Sequence, residues 1–126
     1  MTIRPHPYPL RPRQAPASEF TAHLDELHAA LTEQRHFRIE QLRDLATTAG
    51  PGAESDQARE EVSACLRAAA TAALTDIEAA IHRMATGSYG RCQHCRSAIP
   101  LERLEILPMV RLCMRCQRAE ETSTAR

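Results

Sequence analysis

Lysine and tryptophan are absent from this chain of 126 residues, and phenylalanine and tyrosine contribute only two residues each. The shortage of aromatic residues argues against a stacking surface for single-stranded nucleic acid. The formal net charge is zero, which gives no general attraction to nucleic acids or membranes. No apolar run approaches the ~20 residues of a membrane span, and no signal peptide is visible. The sequence therefore predicts a cytoplasmic protein that does not enter the membrane.

Charge and proline are distributed unevenly along the chain. Residues 1–17 contain five prolines and three arginines but no acid, and this composition predicts an extended, disordered tail. Residues 19–61 contain ten acids and four arginines, whereas residues 86–118 contain six arginines and two glutamates. An acidic middle segment next to a basic C-terminal module favours contacts through local patches of charge.

A first long helix is predicted from about residue 18 to residue 48. Ser18 is a suitable N-cap, and apolar residues then recur mostly at steps of three or four, as on one face of an amphipathic helix. These apolar positions are Phe20, Leu24, Leu27, Leu31, Ile39, Leu42 and Leu45. The run Gly50-Pro51-Gly52 then breaks the pattern.

A second long helix is predicted from Ser55 or Asp56, either of which can act as its N-cap, to a C-cap at Gly87. Its apolar face contains Val62, Leu66, Ala70, Leu74, Ile77, Ile81 and Met84. Two helices of about 30 residues, at ~1.5 Å per residue, form an antiparallel arm roughly 45 Å long over residues 18–86. The tip of this arm is expected near residues 49–56.

Four cysteines after the second helix form two CxxC pairs, Cys92 with Cys95 and Cys113 with Cys116, separated by seventeen residues. Zinc accepts four thiolates in a tetrahedron, and each CxxC turn brings two sulfurs to one side of the ion. A shell of four cysteines leaves no position for a reactive water, so we expect a structural zinc ion and no enzymatic activity. No βαβ pattern surrounds either pair, which argues against a thioredoxin-like redox site.

The predicted architecture is therefore all-α: a helical hairpin, a small four-cysteine zinc finger over residues 87–121, and a short C-terminal helix from about Cys113 to Glu121. Residues 122–126 are expected to fray. His94 is expected to be a solvated neighbour of the zinc site. Cys65 is expected to be buried and inert beside Val62 and Leu66.

The C-terminal part of the sequence resembles the DksA/TraR family of bacterial transcription regulators. The matching residues are Ile77-Glu78, Gly87-Ser88-Tyr89-Gly90-Arg91, the two cysteine pairs, Ile99, Arg103-Leu104-Glu105 and Pro108. The resemblance implies a monomer that binds RNA polymerase, inserts its coiled-coil arm into the secondary channel and reads no DNA sequence. The zinc finger would dock outside the channel, near its rim.

The same resemblance draws attention to the tip of the arm. The family pattern Asp-x-x-Asp-x-Ala at the start of the second helix corresponds to Ala53-x-x-Asp56-x-Ala58. Asp56 and Ala58 are therefore the candidate tip residues that approach the polymerase active centre, and Ala53 replaces the first acid. The alternative is that Asp56 serves only as the N-cap of the second helix.

Two further departures from the family carry predictions. Basic residues that contribute to ppGpp binding in the family fall near Asp76 and Gln117, so we expect a weak or absent response to ppGpp. Arg96 follows the first cysteine pair, where the family usually has glycine. If that position needs a positive φ, the backbone of Arg96 is strained.

Two other functions fit parts of the sequence. The six arginines of the zinc module could contact phosphates, as in a zinc-ribbon nucleic-acid binder, unless they pair with neighbouring glutamates. The hairpin could also serve as an adaptor for a protein other than polymerase.

Overall fold

The computed structural model describes residues 17–48 and 57–124 and forms four helices in this part of the chain. The bounds of these helices are α1 Ala17–Thr48, α2 Gln57–Thr86, α3 Leu101–Ile106 and α4 Met114–Thr124. Helices α1 and α2 form the long hairpin that the apolar periodicity predicts, and the described residues contain no strand beyond an isolated bridge between Arg91 and Ala98. The all-α fold class is confirmed. Residues 1–16 and the predicted tip, residues 49–56, lie outside the described residues.

The seam between α1 and α2 is closed most tightly near the base of the arm. Leu31 and Ala80 are completely buried, and Leu27 and Ile77 are nearly so. Ala70, further along α2, is also completely buried, and the small side chains of Ala70 and Ala80 allow the two helices to pack closely. Further along α1, Ile39, Leu42 and Leu45 are only half-buried.

The register of the hairpin can be read from the pairing of Arg35 with Glu78, whose Nε and Oε2 atoms are 3.1 Å apart. Counting from this pair in opposite directions, the end of α1 at Thr48 stands level with about residue 65 of α2. Val62 and Leu66 are therefore near or beyond the last described residue of α1, and they are 58% and 45% exposed. Cys65 is likewise exposed. The prediction that Cys65 is buried is wrong: it lies twelve residues before the buried Ile77, which at ~100° per residue turns its side chain about 120° away from the buried face of α2.

Helix α2 ends at a left-handed glycine, as the sequence predicts. Gly87 has φ of 83°, which lets the chain reverse, and the N–H groups of Ser88 and Tyr89 both donate to the carbonyl of Arg83. The hydroxyl of Thr86 donates to the same carbonyl. The chain leaves the arm here and enters the cysteine-rich module.

The module contains more helix than the sequence analysis expects. The segment between the two cysteine pairs, for which no helix is predicted, contains α3, which starts after Pro100. Proline is favoured at the start of a helix because its φ is already set. Helix α4 continues to Thr124, so three of the residues predicted to fray, 122–124, are helical. None of the helices in the described ranges is long and apolar enough to cross a membrane.

Candidate metal centre

The first cysteine pair lies in a turn that bends back on itself. The N–H of Cys92 donates to the carbonyl of Ser97, and the N–H of Arg96 donates to the carbonyl of Cys92. The turn closes at Arg96, whose φ is 66°, within the left-handed region. Position 96 thus has the positive φ on which the strain expected at Arg96 depends.

The second pair lies where the last loop meets α4. Cys113 precedes the helix and Cys116 belongs to its first turn, and the N–H of Gln117 donates to the carbonyl of Cys113. The two turns are joined directly, because the N–H of Gln93 donates to the carbonyl of Arg111 at 2.9 Å. Backbone bonds of this kind position both pairs before any ion is considered.

The four sulfurs of Cys92, Cys95, Cys113 and Cys116 all lie within 4.8 Å of one another. The sulfurs of Cys95 and Cys113 are 3.7 Å apart. Four sulfurs at ~2.3 Å around a tetrahedral zinc ion are separated by about 3.8 Å, so this spacing fits the edge of such a tetrahedron. Cysteine is also the residue type that structural zinc sites use most, and the donor set therefore fits one structural zinc ion.

The electrostatics of the cluster also require a cation. Burial raises the pKa of Cys92, but backbone N–H groups of Cys95, Cys113 and His94 point at its sulfur and bring the pKa down to about 6. Burial and the neighbouring sulfurs raise the pKa of Cys116 to about 12. Four thiolates at contact distance repel one another, so they ionise together only around a bound metal ion. Zinc supplies that charge and cross-links the two turns.

A second set of contacts ties the zinc module to the arm. Arg83, near the end of α2, is only 7% exposed, and its Nη2 lies 3.5 Å and 3.4 Å from the carbonyl oxygens of Met109 and Val110. The buried hydroxyl of Tyr89 donates to the preceding carbonyl, that of Pro108, at 2.9 Å. Three consecutive carbonyls of the loop between α3 and the second cysteine pair therefore accept hydrogen bonds from Arg83 and Tyr89. We call residues 108–110 the anchored loop.

Burial changes the ionisation of both anchoring side chains. It lowers the pKa of Arg83 and raises that of Tyr89 to about 12. Tyr89 therefore keeps its proton, and its hydroxyl remains a donor, at any physiological pH.

Helix α1 reaches the module through its first turns. The ring of Phe20 stacks on Tyr89 with centroids 6.4 Å apart and lies against Gly90. Gly90 has φ of 86°, and a Cβ at this position would come within 2.8 Å of the Phe20 ring. His23 adds a contact to α3, with its Nε2 3.7 Å from Glu105. The two ends of the hairpin and the zinc module thus form one packed base.

The structure places the other candidate residues as follows. Asp56 lies outside the described residues, whereas Ala58 is exposed in the first turn of α2. His94 is exposed and is not part of the sulfur cluster. Asp76 and Gln117 line the same groove between α2 and α4.

Half of the arginines of the module make hydrogen bonds or an ion pair within the protein. Arg91 donates to the carbonyl of Arg96, Arg103 donates to the carbonyl of Leu112, and Arg111 pairs with Glu120 at 3.2 Å. This last pair is one of those that the sequence analysis weighed against phosphate binding. A surface with half of its arginines engaged is a weaker phosphate site than the bare count of cations indicates.

Arg83 and the hydroxyl of Tyr89 are structural anchors that were not predicted from the sequence. Their signal was weak but present. Arg83 continues the spacing of three set by the buried Ile77 and Ala80, so it lies on the buried side of α2. An arginine there needs acceptors, and the carbonyls of the anchored loop provide them.

Comparisons with known proteins agree with this geometry. Residues 87–121 match the family profile described as prokaryotic dksA/traR C4-type zinc finger. Among solved structures, the chain is similar to the transcription factor DksA2 from Pseudomonas aeruginosa, with 29% sequence identity and a TM-score of 0.65. That match covers 88% of this chain and 94% of the other, so it includes both the arm and the zinc module. A comparison with curated proteins finds no match.

Proposed function

As this chain belongs to the DksA/TraR family of transcription regulators that bind RNA polymerase, we propose that it acts by inserting its helical arm into the secondary channel of bacterial polymerase. One observation carries the proposal furthest. A slender arm of two helices, roughly 45 Å long at ~1.5 Å per residue, is anchored at one end by the zinc module. A probe of that shape suits a narrow pore.

The proposed mechanism is steric and electrostatic and makes or breaks no bond. Asp56 and Ala58 approach the polymerase active centre at the tip, and the zinc module docks near the rim of the channel. The protein modulates initiation without reading a DNA sequence, acts as a monomer in the cytoplasm where polymerase works, and is not an enzyme. The anchored loop supports this proposal, since it fixes the arm relative to the docking module.

The first test is a fluorescence titration of the zinc-loaded protein against purified bacterial core polymerase. A Gre-type factor that occupies the secondary channel serves as competitor. Saturable binding that the competitor displaces is the expected result. Absence of binding, with zinc bound and helicity intact, would overturn the proposal and favour a helical adaptor for another protein.

The tip needs a separate test, because a protein with an inactive tip can still bind. Asp56→Asn is expected to leave polymerase affinity nearly unchanged while reducing the effect on initiation in a transcription assay. Asp25→Asn, on an exposed acid near the base of α1, is the matched control and is expected to behave like the unchanged protein. Equal activity of all three proteins would remove Asp56 from the mechanism.

Ala58 is tested by added bulk. Ala58→Thr is expected to reduce regulation more than Ala64→Thr, because both residues are exposed on α2 but only Ala58 lies in its first turn. Equal effects would show that the site near the tip has no special role.

We propose that ppGpp has little influence on this protein. Asp76 places a carboxylate in the groove where the family resemblance puts cations, beside Arg103, Arg111 and Arg118, and this carboxylate repels a polyanion. Transcription assays with and without ppGpp are expected to differ little, and Asp76→Arg is expected to increase the difference. A strong ppGpp effect on the unchanged protein would contradict this.

The nucleic-acid alternative remains testable because Arg96, Arg115 and Arg118 are exposed. If the isolated protein bound DNA with a steep dependence on salt, this surface would be a phosphate site. Binding to polymerase with no measurable DNA affinity is the expected outcome.

A further inference from the structure

Residues 108–112 lead into the second cysteine pair, and all five of their carbonyls accept hydrogen bonds from other parts of the protein. Three of these carbonyls belong to the anchored loop, and the fourth accepts the backbone N–H of Gln93. The last carbonyl, that of Leu112, directly precedes Cys113 and accepts a bond from Nε of Arg103 at 3.4 Å. Arg103 therefore holds the chain at the point where it enters the metal centre.

The same guanidinium contacts the residue on the other side of Cys113. Nη1 of Arg103 lies 3.0 Å from the sulfur of Met114, the first residue of α4. A thioether is a weak acceptor, so this contact is weaker than the bond to the carbonyl. Its effect is geometric, because the planar guanidinium presents its donors in a fixed fork and contacts both neighbours of Cys113. Two such contacts restrict where the Cys113 sulfur can lie.

Helix α3 gives Arg103 a fixed position in the module. The N–H groups of Arg103 and Leu104 both donate to the carbonyl of Pro100 at the start of the helix. The side chain of Leu104 is completely buried and lies close to Gly90, two residues before the first cysteine pair. Helix α3 thus packs beside one cysteine pair through Leu104 and contacts the other through Arg103.

The guanidinium of Arg103 also has a second possible use. Arg103 is only partly buried, and it lines the groove between α2 and α4. A role in attracting anions to that groove would depend on the charge of Arg103 alone, whereas a role in holding Cys113 depends on the two contacts. The two roles therefore respond differently to a substitution that keeps the charge and changes the geometry.

We propose that Arg103 is a positioning residue for the zinc ion, which places Cys113 in the geometry of the tetrahedral site before the metal binds. A ligand that is already in position loses less conformational freedom when zinc binds, so the affinity for zinc is higher. The inference concerns the protein and its metal alone. It goes beyond the proposed function and does not depend on binding to polymerase.

The zinc affinity of the full chain, measured by competition with a chromogenic chelator, tests this role. Arg103→Met removes both contacts and keeps an unbranched side chain, and it is expected to weaken zinc binding about tenfold, as the loss of a group that orients metal ligands does. Arg118→Met removes an exposed arginine of the same module and is the control, with the affinity of the unchanged protein expected. Unchanged affinity in Arg103→Met would overturn the proposal.

A lysine at this position separates geometry from charge. Arg103→Lys keeps the positive charge, but a single ammonium group does not reproduce the fork that contacts both neighbours of Cys113. It is expected to bind zinc nearly as weakly as Arg103→Met does. Full affinity in Arg103→Lys would show that charge alone is sufficient and would overturn the positioning role.

A general loss of stability would also weaken zinc binding, because folding and metal binding are coupled. Alkylation of the zinc-loaded protein with N-ethylmaleimide, mapped by mass spectrometry, separates the two causes. The exposed Cys65 serves as an internal standard, because it lies outside the sulfur cluster. In Arg103→Met, the rate at Cys113 relative to Cys92 is expected to rise severalfold above that of the unchanged protein. Equal acceleration at all four clustered cysteines would identify general destabilisation and overturn the proposal.

Met114 allows a separate test of the second contact. Met114→Leu keeps the bulk of the side chain and removes the sulfur. It is expected to weaken zinc binding slightly in the unchanged protein and to cause no further loss when combined with Arg103→Met. Fully additive losses would show that the two side chains act independently and would contradict the two-sided contact around Cys113.

Discussion

At the scale of single residues, the zinc module depends on three positions with left-handed backbone: Gly87, Gly90 and Arg96. Gly87 was readable from the sequence as the C-cap of the second helix, Gly90 entered only as part of the family motif, and Arg96 stood out as a departure from a family glycine. The buried role of Arg83 was harder to predict, because a charged residue on a helix is normally assigned to the solvated face. Only tertiary acceptors, the carbonyls of the anchored loop, make its burial tolerable.

Arg96→Gly is expected to raise the free energy of unfolding of the zinc-loaded protein by about 0.5–1 kcal/mol. A left-handed conformation costs a residue with a Cβ roughly 1–2 kcal/mol, and part of this gain is lost to the greater freedom of glycine in the unfolded chain. Denaturant unfolding measures the change. Arg96→Ala removes the same charge but keeps the strain, so an equal gain from alanine would identify charge as the cause.

Gly90→Ala is expected to destabilise the protein more than Gly87→Ala. Both substitutions place a Cβ at a positive φ, but only that of Ala at position 90 meets the ring of Phe20, whereas nothing lies within 4 Å at position 87. The difference between the two unfolding free energies isolates the contact with Phe20. Combining Gly90→Ala with Phe20→Leu is expected to recover that difference. No recovery would mean that backbone strain accounts for the whole effect.

At the scale of elements, the two long helices were predictable because each carries an apolar stripe at helical spacing. What periodicity could not give was which part of each stripe is covered. Val62 and Leu66 continue the pattern but lie near or beyond the level of the last described residue of α1, and they are exposed. Helix α3 was missed because six residues are too few for a periodic signal.

The tightness of the seam near the base leads to a prediction about stability along the arm. Leu31→Ala is expected to lower the free energy of unfolding by about 2–5 kcal/mol, since Leu31 is completely buried and its loss leaves a cavity. Phe37→Ala removes a larger side chain from the same helix but is expected to cost far less, because that ring is 60% exposed. Thermal unfolding followed by circular dichroism compares the two. A similar cost for both would contradict the uneven seam.

At the scale of the whole molecule, the base is a composite of three contributions: the sulfur cluster, the anchored loop and the ring of Phe20. The sequence predicted the first of these in full, because the spacing of two CxxC pairs is specific. The second and third depend on side chains that meet only after the chain has folded, and no local pattern marks them.

Removal of zinc is expected to unfold the module while much of the hairpin remains helical. With a strong chelator, hydrogen exchange is expected to lose protection over residues 88–121 and in the last turns of α2, but to keep it around Leu27 and Leu31. The same loss is expected as the pH falls, because protons compete with zinc for thiolates, beginning with the sulfurs whose pKa is highest. Readdition of zinc at neutral pH restores protection. Uniform loss of protection along both helices would show that the hairpin is not stable without the zinc module.

The hydrogen bonds from Arg83 and Tyr89 to three successive carbonyls also affect how rigidly the arm is held. Helix α2 is a lever about 45 Å long, so a rotation of one degree about its base displaces the far end by about 0.8 Å. Because the anchored loop resists rotation at three adjacent points, sideways load on the far end becomes torque on the metal-binding turns. A small change at the base, such as Tyr89→Phe, would therefore produce a larger displacement of the far end of the arm.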